Sequence, residues 1–494
     1  MSKQESIQSE RPTDTDGINI GGRPELFVDH YLIDQMYGTQ LKLHAPVKKE
    51  IAIAFDQPWE GPGSSAYNSV FFDGEKYRLY YRACAQKTAK EKGDLSTAQY
   101  TCLALSDDGI HWEKPELGLV EFEGSTKNNI LLSGIMSHNF SPFLDTNPAC
   151  APEARYKAVA GHISTGLVAY QSADGIHWSK MQEEPIIRDG ALDSQKNLCF
   201  YDPNIDGYQC YSRYFARPID WESEPQDGEF REVSVPDTLD DLGVGIRAIQ
   251  NTCSKDFLHW QPLRANCYQH HIPLEHFYTN ATFLCPGAEQ LYISMPMRFM
   301  YDRHKVASCP FPGVSDGVFM TSRDGVRFDR TFLEGWLRPE LDERCWTQRN
   351  YITAWGMLET SAEEFSIFVN EHYEWDDACL RRYAIRRHGF ASVHAPYAGG
   401  SFVTKLFRFT GNQLTLNYAT SAAGGIRVGI IGDGTGWPAS DFAVEDCDLI
   451  YGNELNRVVS WRGNSNLSRF EGKMIRLKFE MKDADLFALQ FAQA

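Results

Sequence analysis

The heptapeptide Ser106-Asp-Asp-Gly-Ile-His-Trp112 returns along the chain and decides the fold. Its further copies are Ser172-Ala-Asp-Gly-Ile-His-Trp178, Ser254-Lys-Asp-Phe-Leu-His-Trp260, Ser322-Arg-Asp-Gly-Val-Arg-Phe328 and the weaker Arg387-His-Gly-Phe-Ala-Ser-Val393. The last residues of the first four copies are 66, 82 and 68 residues apart. Asp-Gly between strand-like runs predicts a hairpin turn, because it supplies the positive φ values that the turn requires.

A second pair of strand-like runs precedes each copy. In the first repeat, residues 66–82 read as a strand, an Asp-Gly turn and another strand. Each repeat therefore contains four strands, named A to D in chain order, over roughly 70 residues. Five such units predict an all-β chain with a five-bladed β-propeller, which leaves only short, protected sheet edges. A long β-sandwich or a β-helix array is the alternative architecture.

The repeat pattern stops near residue 395. Residues 396–494 contain further strand-like runs without the turn signature, which predicts a C-terminal antiparallel β-sandwich. Residues 1–22 are polar, and we expect them to form a disordered N-terminal segment. The propeller is therefore expected at residues 23–395.

Composition narrows the function classes. The 494-residue chain has a net charge of −18 and no basic run, which argues against nucleic acid and anionic membranes as partners. Its 12 cysteines are scattered and form no CxxC pair, so we expect reduced, buried thiols. No signal peptide or membrane-spanning stretch is visible, and we expect a cytoplasmic protein. Homo-oligomerisation is left open.

The starts of the A strands carry polar residues where ordinary strands carry apolar ones. In a propeller, strand A begins on the face where strand B ends, so these positions converge, whereas turn residues such as Asp73 lie elsewhere. Amides, guanidinium groups and aromatic faces together suit a polyhydroxylated ligand. The candidate substrate-binding residues are Asn68, Arg82, Asn139, Gln195, Asn197, Arg213, Tyr278, Arg298, Asp316, Arg349 and Asn350.

Four runs carry a resemblance to a known group of proteins: Leu26-Phe-Val-Asp-His-Tyr-Leu-Ile33, Pro58-Trp-Glu-Gly61, Asp316-Gly-Val-Phe-Met-Thr-Ser-Arg-Asp-Gly325 and Gly389-Phe-Ala-Ser-Val393. They resemble bacterial proteins described as glycosyl hydrolase family 32 N-terminal-like, within the five-bladed glycoside hydrolases of families 32 and 43. The likeness spans most of the chain, from residue 24 to residue 494. It implies a glycoside hydrolase that acts on an oligo- or polysaccharide fragment.

The resemblance implies a general acid at Asp193, where the families carry a glutamate. The families' acids in the first two blades are replaced by Tyr67 or Asn68 and by Asn139. Glycosidic cleavage requires a second carboxylate as nucleophile or base, and Glu60 is our choice for it. The candidate catalytic residues are Asp193, Glu60, Glu275 and Glu371. Several inward arginines suit an acidic or sulfated glycan.

Two other functions stay open. The replaced family acids favour a non-catalytic, glycan-binding propeller. A lyase or phosphorylase is the other alternative, and a lyase would take Tyr278, His138 or His276 as its base. No cofactor is expected: His138, His162, His276 and Asp316 could converge on a cation at the axis, but no metal-binding spacing supports one.

Overall fold

The structure, a computed structural model, describes residues 17–61, 65–84, 99–162, 164–190, 192, 197–216, 245–269, 272–273, 275–432 and 439–493. Within them the chain is all-β, and none of the helices is long and apolar enough to cross a membrane. The short 3-10 helices are Ile135–His138, Pro152–Ala154, Glu343–Trp346, Val444–Asp446 and Ser468–Phe470. The chain divides into two compact units: Pro46–Ile385, and Met1–Ala45 with Arg386–Ala494.

Five sheets in the Pro46–Ile385 unit are the blades of a propeller, which confirms the five-bladed prediction. In order A to D, the strands are Ala66–Phe72, Tyr77–Cys84, Gln99–Ser106 and Ile130–Ser133 in blade 1; Ser141–Leu144, Tyr156–His162, Gly166–Ser172 and Ser179–Lys180 in blade 2; Leu198–Asp202, Gly207–Ala216, Ile246–Ser254 and Arg264–Ala265 in blade 3; Thr282–Cys285, Ala288–Ser294, Met320–Ser322 and Arg327–Asp329 in blade 4; and Leu358–Glu359, Glu364–Glu371, Cys379–Arg386 and Val47–Ala54 in blade 5. Cys267–Tyr268 joins the outer edge of blade 4, and Met297–Met300 pairs with Val314–Gly317 outside the blades.

Blade 5 takes its outer strand from the beginning of the propeller sequence. Val47–Ala54 pairs antiparallel with Cys379–Arg386 and closes the ring of blades. The prediction that the fifth heptapeptide, at residues 387–393, ends blade 5 is therefore wrong. Strand C of that blade already has Val47–Ala54 on its edge, and Ala391–Ala395 pairs with Gln40–Leu43 in the other unit instead.

The heptapeptide forms the same rim turn in four blades. Asp108 Oδ1 accepts the backbone N–H groups of Ile110 and His111, each at 2.8 Å, and its other carboxylate oxygen lies 2.7 Å from His111 Nδ1. Ser106 Oγ accepts the N–H of Gly109 at 2.9 Å. The aspartates that repeat these backbone contacts are Asp174, Asp256 and Asp324.

The third copy differs at the position of the turn glycine. In blade 2, the carbonyl of this glycine, Gly175, accepts a hydrogen bond at 2.9 Å from Tyr80 of the preceding blade. The residue of blade 2 that corresponds to Tyr80 is Val159, which has no hydroxyl to offer the next turn. That next turn carries Phe257, fully buried at a φ of +69°, with its ring centre 5.6 Å from that of Phe143 in blade 2. Between blades 2 and 3, the aromatic ring at this position therefore belongs to Phe257 of the turn. Between blades 1 and 2, it belongs to Tyr80 of the preceding blade.

The second unit is built around two long strands that pair along most of their length, Gln413–Ile431 and Arg476–Ala492. Its other strands are Ile18–Gly21, Glu25–Leu26, Ile33–Tyr37, Gln40–Leu43, Ala391–Ala395, Gly400–Thr404, Phe407–Phe409 and Asn453–Val458. Its core is apolar and aromatic, and the rings of Phe402 and Phe479 stack 4.5 Å apart. The four strands at residues 18–43 belong to this unit, whereas the sequence-based boundaries are 23 and 395. The β-sandwich arrangement stays a prediction.

Candidate functional site

Four arginines and three tyrosines meet where strands of several blades begin or end. Tyr67 opens strand A of blade 1, and Tyr278 precedes strand A of blade 4. Arg82 and Arg213 lie near the ends of B strands, and Arg247 lies at the start of a C strand. We call this group the arginine–tyrosine cluster; it comprises Tyr67, Tyr278, Tyr373, Arg82, Arg213, Arg247 and Arg349.

Tyr278 is the centre of the cluster. The guanidinium carbons of Arg213, Arg247 and Arg349 lie 5.7, 5.5 and 5.7 Å from the centre of its ring. The hydroxyl of Tyr67 donates a long hydrogen bond, 3.5 Å, to the hydroxyl oxygen of Tyr278. Three positive charges therefore surround one phenol.

The other two tyrosines bring in the remaining arginine. The guanidinium carbon of Arg82 lies 4.3 Å from the centre of the Tyr67 ring. Tyr373 accepts hydrogen bonds at its hydroxyl oxygen from Arg349 at 3.0 Å and from Arg82 at 3.5 Å. The cluster thus joins residues at the strand ends and loops of blades 1, 3, 4 and 5.

Two guanidinium groups of the cluster have no carboxylate partner among the described residues. Arg349 donates to the Tyr373 hydroxyl, and Arg247 donates to His276 Nδ1 at 3.2 Å. The buried Nε atoms of both arginines have no hydrogen-bond partner in the described part of the chain. In a protein with a net charge of −18, this local concentration of positive charge favours an anion over a cation at the cluster.

The charges act on the phenol they surround. Burial raises the pKa of Tyr278, but Arg349, the hydrogen bond from Tyr67 and two further arginines outweigh burial, so the pKa is lowered from its ordinary value of 10.0. The pKa of Tyr67 is raised instead, because this phenol is buried beside the oxygen of Tyr278. Tyr278 is therefore the phenol of this pair that loses its proton first.

The backbone at the cluster is unusual. Tyr67 and Arg349 both have φ values of +58°. The left-handed region is unfavourable for residues with a β-carbon, and such strain is concentrated at functional sites. The register between strands A and B of blade 1 also shifts between Ala66 and Ser69, immediately around Tyr67. The fold holds both side chains in place at a conformational cost.

Three predicted amides lie at the starts of the A strands, and each is buried. Asn139 and Asn197 both donate to the carbonyl of Leu192 at 3.1 Å, and Asn68 donates to the amide oxygen of Asn370 at 2.7 Å. The side-chain oxygens of Asn68, Asn139 and Asn197 have no donor among the described residues. Because buried polar atoms are nearly always paired, the missing donors distinguish these three amides from ordinary buried asparagines.

Glu60 lies outside the arginine–tyrosine cluster. Its carboxylate is fully buried and accepts hydrogen bonds from the Tyr81 hydroxyl at 2.6 Å and the Gln57 N–H at 2.9 Å, and it pairs with Lys114 at 2.9 Å. Burial raises the pKa of Glu60, although Lys114 and Tyr81 oppose that shift. These contacts give the carboxylate a structural role within blade 1 and leave it no direct contact with the cluster.

Glu371 and Glu275 are also held in ion pairs. Glu371 is buried against Arg381 at 2.7 Å and the Tyr383 hydroxyl at 2.6 Å; its pKa is lowered because these partners and Lys48 outweigh burial. Glu275 contacts Arg298 at 2.6 Å and also pairs with Arg330.

The remaining predicted residues form an ion-pair network, stabilise a loop or lie outside the described residues. Arg298 bridges Glu275 and Asp316, with 2.5 Å to the Asp316 carboxylate, so this predicted pair forms a salt-bridge network. Asn350 donates to the backbone carbonyl of Arg344 at 2.9 Å and organises its own loop. The predicted acid Asp193 and the predicted ligand Gln195 lie outside the described residues.

Sequence reasoning missed Arg247 and Tyr373. The candidate residues come from the starts of A strands, the ends of B strands and the B–C loops. Arg247 instead lies at the start of a C strand, opposite Phe215. The start of strand C opens on the same face as the end of strand B, and this geometry was the available signal. Tyr373 lies two residues after the predicted Glu371, in the B–C loop of blade 5.

The histidines considered for a cation have other partners. His138 Nδ1 lies 2.7 Å from Gln99 Oε1, and His162 Nδ1 lies 3.0 Å from Ser164 Oγ. Burial and then Arg247 lower the pKa of His276, which suits a neutral ring that accepts from this arginine. In the part of the chain that the structure describes, no three His, Cys, Asp or Glu side chains are grouped to hold a metal ion.

No protein family profile and no curated protein matches the chain. A solved structure described as a glycoside hydrolase aligns with 69% of this chain and 92% of its own, at 12% identity and a TM-score of 0.44. An N-acetylgalactosamine deacetylase from F. plautii covers 70% and 94%, at 14% identity and 0.39. A fructofuranosidase from Schwanniomyces occidentalis covers 90% and 98%, at 8% identity and 0.35. At these identities and TM-scores, the likenesses carry no argument about the activity of this chain.

Proposed function

We propose that this protein is a glycoside hydrolase that binds an anionic saccharide at the arginine–tyrosine cluster of its propeller. The observation that carries the proposal is the pair Arg247 and Arg349, whose guanidinium groups have no carboxylate partner among the described residues. A carboxylate or sulfate on a sugar would supply that partner, and guanidinium groups bind both in two-pronged geometry.

The neighbouring groups suit the rest of a sugar. The amide oxygens of Asn68, Asn139 and Asn197 are hydrogen-bond acceptors, and sugar hydroxyls are donors. The general acid of the proposal is Asp193, as the sequence resemblance implies.

Binding tests the first half of the proposal. Glucuronic acid, galacturonic acid and N-acetylglucosamine 6-sulfate are compared with glucose and galactose by calorimetry. Arg349→Gln should weaken binding of the anionic sugars by roughly 10- to 100-fold, the loss expected for a charged hydrogen bond, and leave neutral sugars unaffected. Arg188→Gln is the matched control, because Arg188 is an exposed arginine whose ion-pair partner among the described residues is Glu184. Equal binding of neutral and anionic sugars would contradict the proposal.

Turnover tests the second half. Wild-type protein should release 4-methylumbelliferone from an anionic 4-methylumbelliferyl glycoside, such as the glucuronide or the sialoside. Asp193→Asn should lower that rate by about a hundredfold or more, as expected for loss of general acid catalysis. Asp189→Asn, four residues away, is the control for the loss of one negative charge.

A saccharide-binding propeller without catalysis is the second candidate. It is favoured by the ion pairs that hold Glu60, Glu275 and Glu371. Tight binding of an anionic sugar without any product over long incubation would select this function over hydrolysis.

A further inference from the structure

Glycoside hydrolysis with a covalent intermediate requires a nucleophile near the sugar, and the predicted second carboxylates are poorly placed for it. Glu60 and Glu371 each have three hydrogen-bond or ion-pair partners, and Glu275 is divided between Arg298 and Arg330. A carboxylate that attacks carbon must first give up such partners. The ion pairs that the described residues give these three glutamates involve Lys48, Lys114, Arg298, Arg330 and Arg381, and not Arg247 or Arg349, where we place the anionic sugar.

The cluster itself contains an ionisable oxygen. The guanidinium carbons of three arginines lie 5.5 to 5.7 Å from the centre of the Tyr278 ring, and these charges favour the phenolate form. The Tyr67 hydroxyl donates to the Tyr278 oxygen. Phenolate oxygens are competent nucleophiles at sugar carbons, and some glycosidases use tyrosine in place of a carboxylate. The lowered pKa of Tyr278 agrees with this arrangement.

The geometry points to Tyr278 as the catalytic nucleophile of this chain, an inference that rests on the proposed function. Tyr278 Oη bonds to the anomeric carbon while the bond from that carbon to the leaving oxygen breaks. The leaving oxygen takes a proton from the general acid, which the proposed function assigns to Asp193. Water then attacks the anomeric carbon, gives its proton back to the acid and releases the sugar, and the phenolate is restored.

The other cluster residues have positioning roles in this step. Arg349 contacts both the Tyr278 ring and the Tyr373 hydroxyl, so it can hold the phenolate and the anionic group of the sugar at once. Tyr67, with its raised pKa, stays protonated and donates to the leaving phenolate oxygen when the intermediate breaks down.

A mechanism-based substrate tests the nucleophile directly. Wild-type protein is incubated with 2-deoxy-2-fluoroglucuronosyl fluoride, or with the fluorosugar that matches the glycoside it cleaves, and digested for mass spectrometry. The expected result is a sugar adduct on the peptide that contains Tyr278. Tyr278→Phe should lose at least roughly a thousandfold in turnover, as enzymes without their nucleophile do. The control is Tyr170→Phe, a buried tyrosine in blade 2.

A pH titration measures the ionisation of Tyr278 without a substrate. Ultraviolet difference absorbance should show one tyrosine of the wild-type protein ionising below the ordinary range. This step should be missing in Tyr278→Phe and should move to higher pH in Arg349→Gln, because a neighbouring positive charge is removed. Identical curves for wild type and Tyr278→Phe would overturn the inference.

The outcomes separate the two proposals. An adduct on an aspartate or glutamate, or wild-type turnover in Tyr278→Phe, overturns the nucleophile and leaves the hydrolase standing. A product with a carbon–carbon double bond overturns both, because it shows elimination instead of hydrolysis. If no anionic glycoside is cleaved, the hydrolase fails, and the catalytic role of Tyr278 fails with it.

Discussion

The rim turns and the strand starts of the propeller lie in the same blades but follow opposite rules. At the rim, Asp108, Asp174 and Asp256 each accept two backbone N–H groups at 2.8 to 2.9 Å and hold a histidine at 2.7 Å. At the strand starts, blade 2 has Asn139 where blades 1 and 4 have Tyr67 and Tyr278, and the two tyrosines hydrogen-bond to each other whereas Asn139 hydrogen-bonds to the Leu192 carbonyl. Repetition marks the positions that build each blade, whereas divergence marks the positions that we propose for the ligand.

The two regions also differ in how completely their polar groups are satisfied. A rim aspartate has four or more partners within its own turn. The strand starts leave amide oxygens and guanidinium nitrogens open among the described residues. We therefore expect substitutions at the rim to lower stability without changing sugar binding, and substitutions in the cluster to weaken sugar binding without lowering stability.

Phe257→Ala should have the largest effect on stability. The side chain is fully buried between blades 2 and 3, and removal of a buried phenylalanine costs about 3–5 kcal/mol of the free energy of unfolding. Urea unfolding measures the loss, and Phe72→Ala, at an exposed phenylalanine of blade 1, should cost far less. Loss of sugar binding in folded Phe257→Ala protein would break the separation between rim and pocket.

Gly175→Ala comes next. An added Cβ would lie 2.6 Å from the Tyr80 hydroxyl and 2.7 Å from an Arg78 nitrogen, at a φ of +74°. We expect a loss of about 2–3 kcal/mol from strain and crowding together. Gly124→Ala separates the two causes, because its φ is +84° and nothing lies within 4 Å of its added Cβ. Equal losses in the two variants would show that crowding by the preceding blade is unimportant.

Arg247→Met should raise stability slightly. Burial and then Arg213 lower the pKa of Arg247, which shows that the folded protein disfavours this charge. Methionine keeps much of the apolar length, and we expect a gain of up to about 1 kcal/mol together with weaker binding of anionic sugars. Thermal unfolding and calorimetry on the same samples measure both. A less stable variant would contradict the idea that the cluster trades stability for ligand binding.

Acid should weaken the rim turns only a little. Burial raises the pKa of Asp256, but His259 and two backbone N–H groups outweigh it and hold the pKa at about 2, below the ordinary 3.8. The folded chain binds fewer protons here, so the stabilisation is present above pH 3.8 and is lost as the pH falls towards 2. Because the side chain is half exposed, we expect less than about 1 kcal/mol. Asp256→Asn should remove this acid dependence from the urea-unfolding series, whereas Asp189→Asn should not.

The sequence predicts the blades well because their turns are local. The hydrogen bonds of Ser106, Asp108 and His111 all lie within six residues, so a short motif is enough to identify the turn. The closing strand Val47–Ala54 carries no such motif, and its pairing with Cys379–Arg386 depends on the whole ring. The turn-like segment at residues 387–393 was therefore wrongly predicted to complete blade 5.

The site could be predicted only in part for the same reason. Strand position is enough to bring Arg82, Arg213 and Tyr278 together, and the structure places all three in one cluster. The environment of Glu60 depends on Lys114, 54 residues away, and on the hydroxyl of Tyr81. Such a long-range partner leaves no periodic signal, so a glutamate beside a strand start reads the same whether it faces a ligand or an ion pair.

The closing strand Val47–Ala54 affects how the propeller folds during translation. Val47–Ala54 leaves the ribosome before any complete blade, yet its partner strand is made more than 300 residues later; Arg382 pairs with Glu50 across 332 positions. Contacts between residues so far apart in sequence form slowly, because the entropy cost of closing the long loop precedes the favourable energy of the contact. When the residues of blade 1 have been synthesised, Val47–Ala54 still lacks its partner strand in blade 5. The ring of blades therefore closes only after Cys379–Arg386 has been synthesised and has paired with Val47–Ala54.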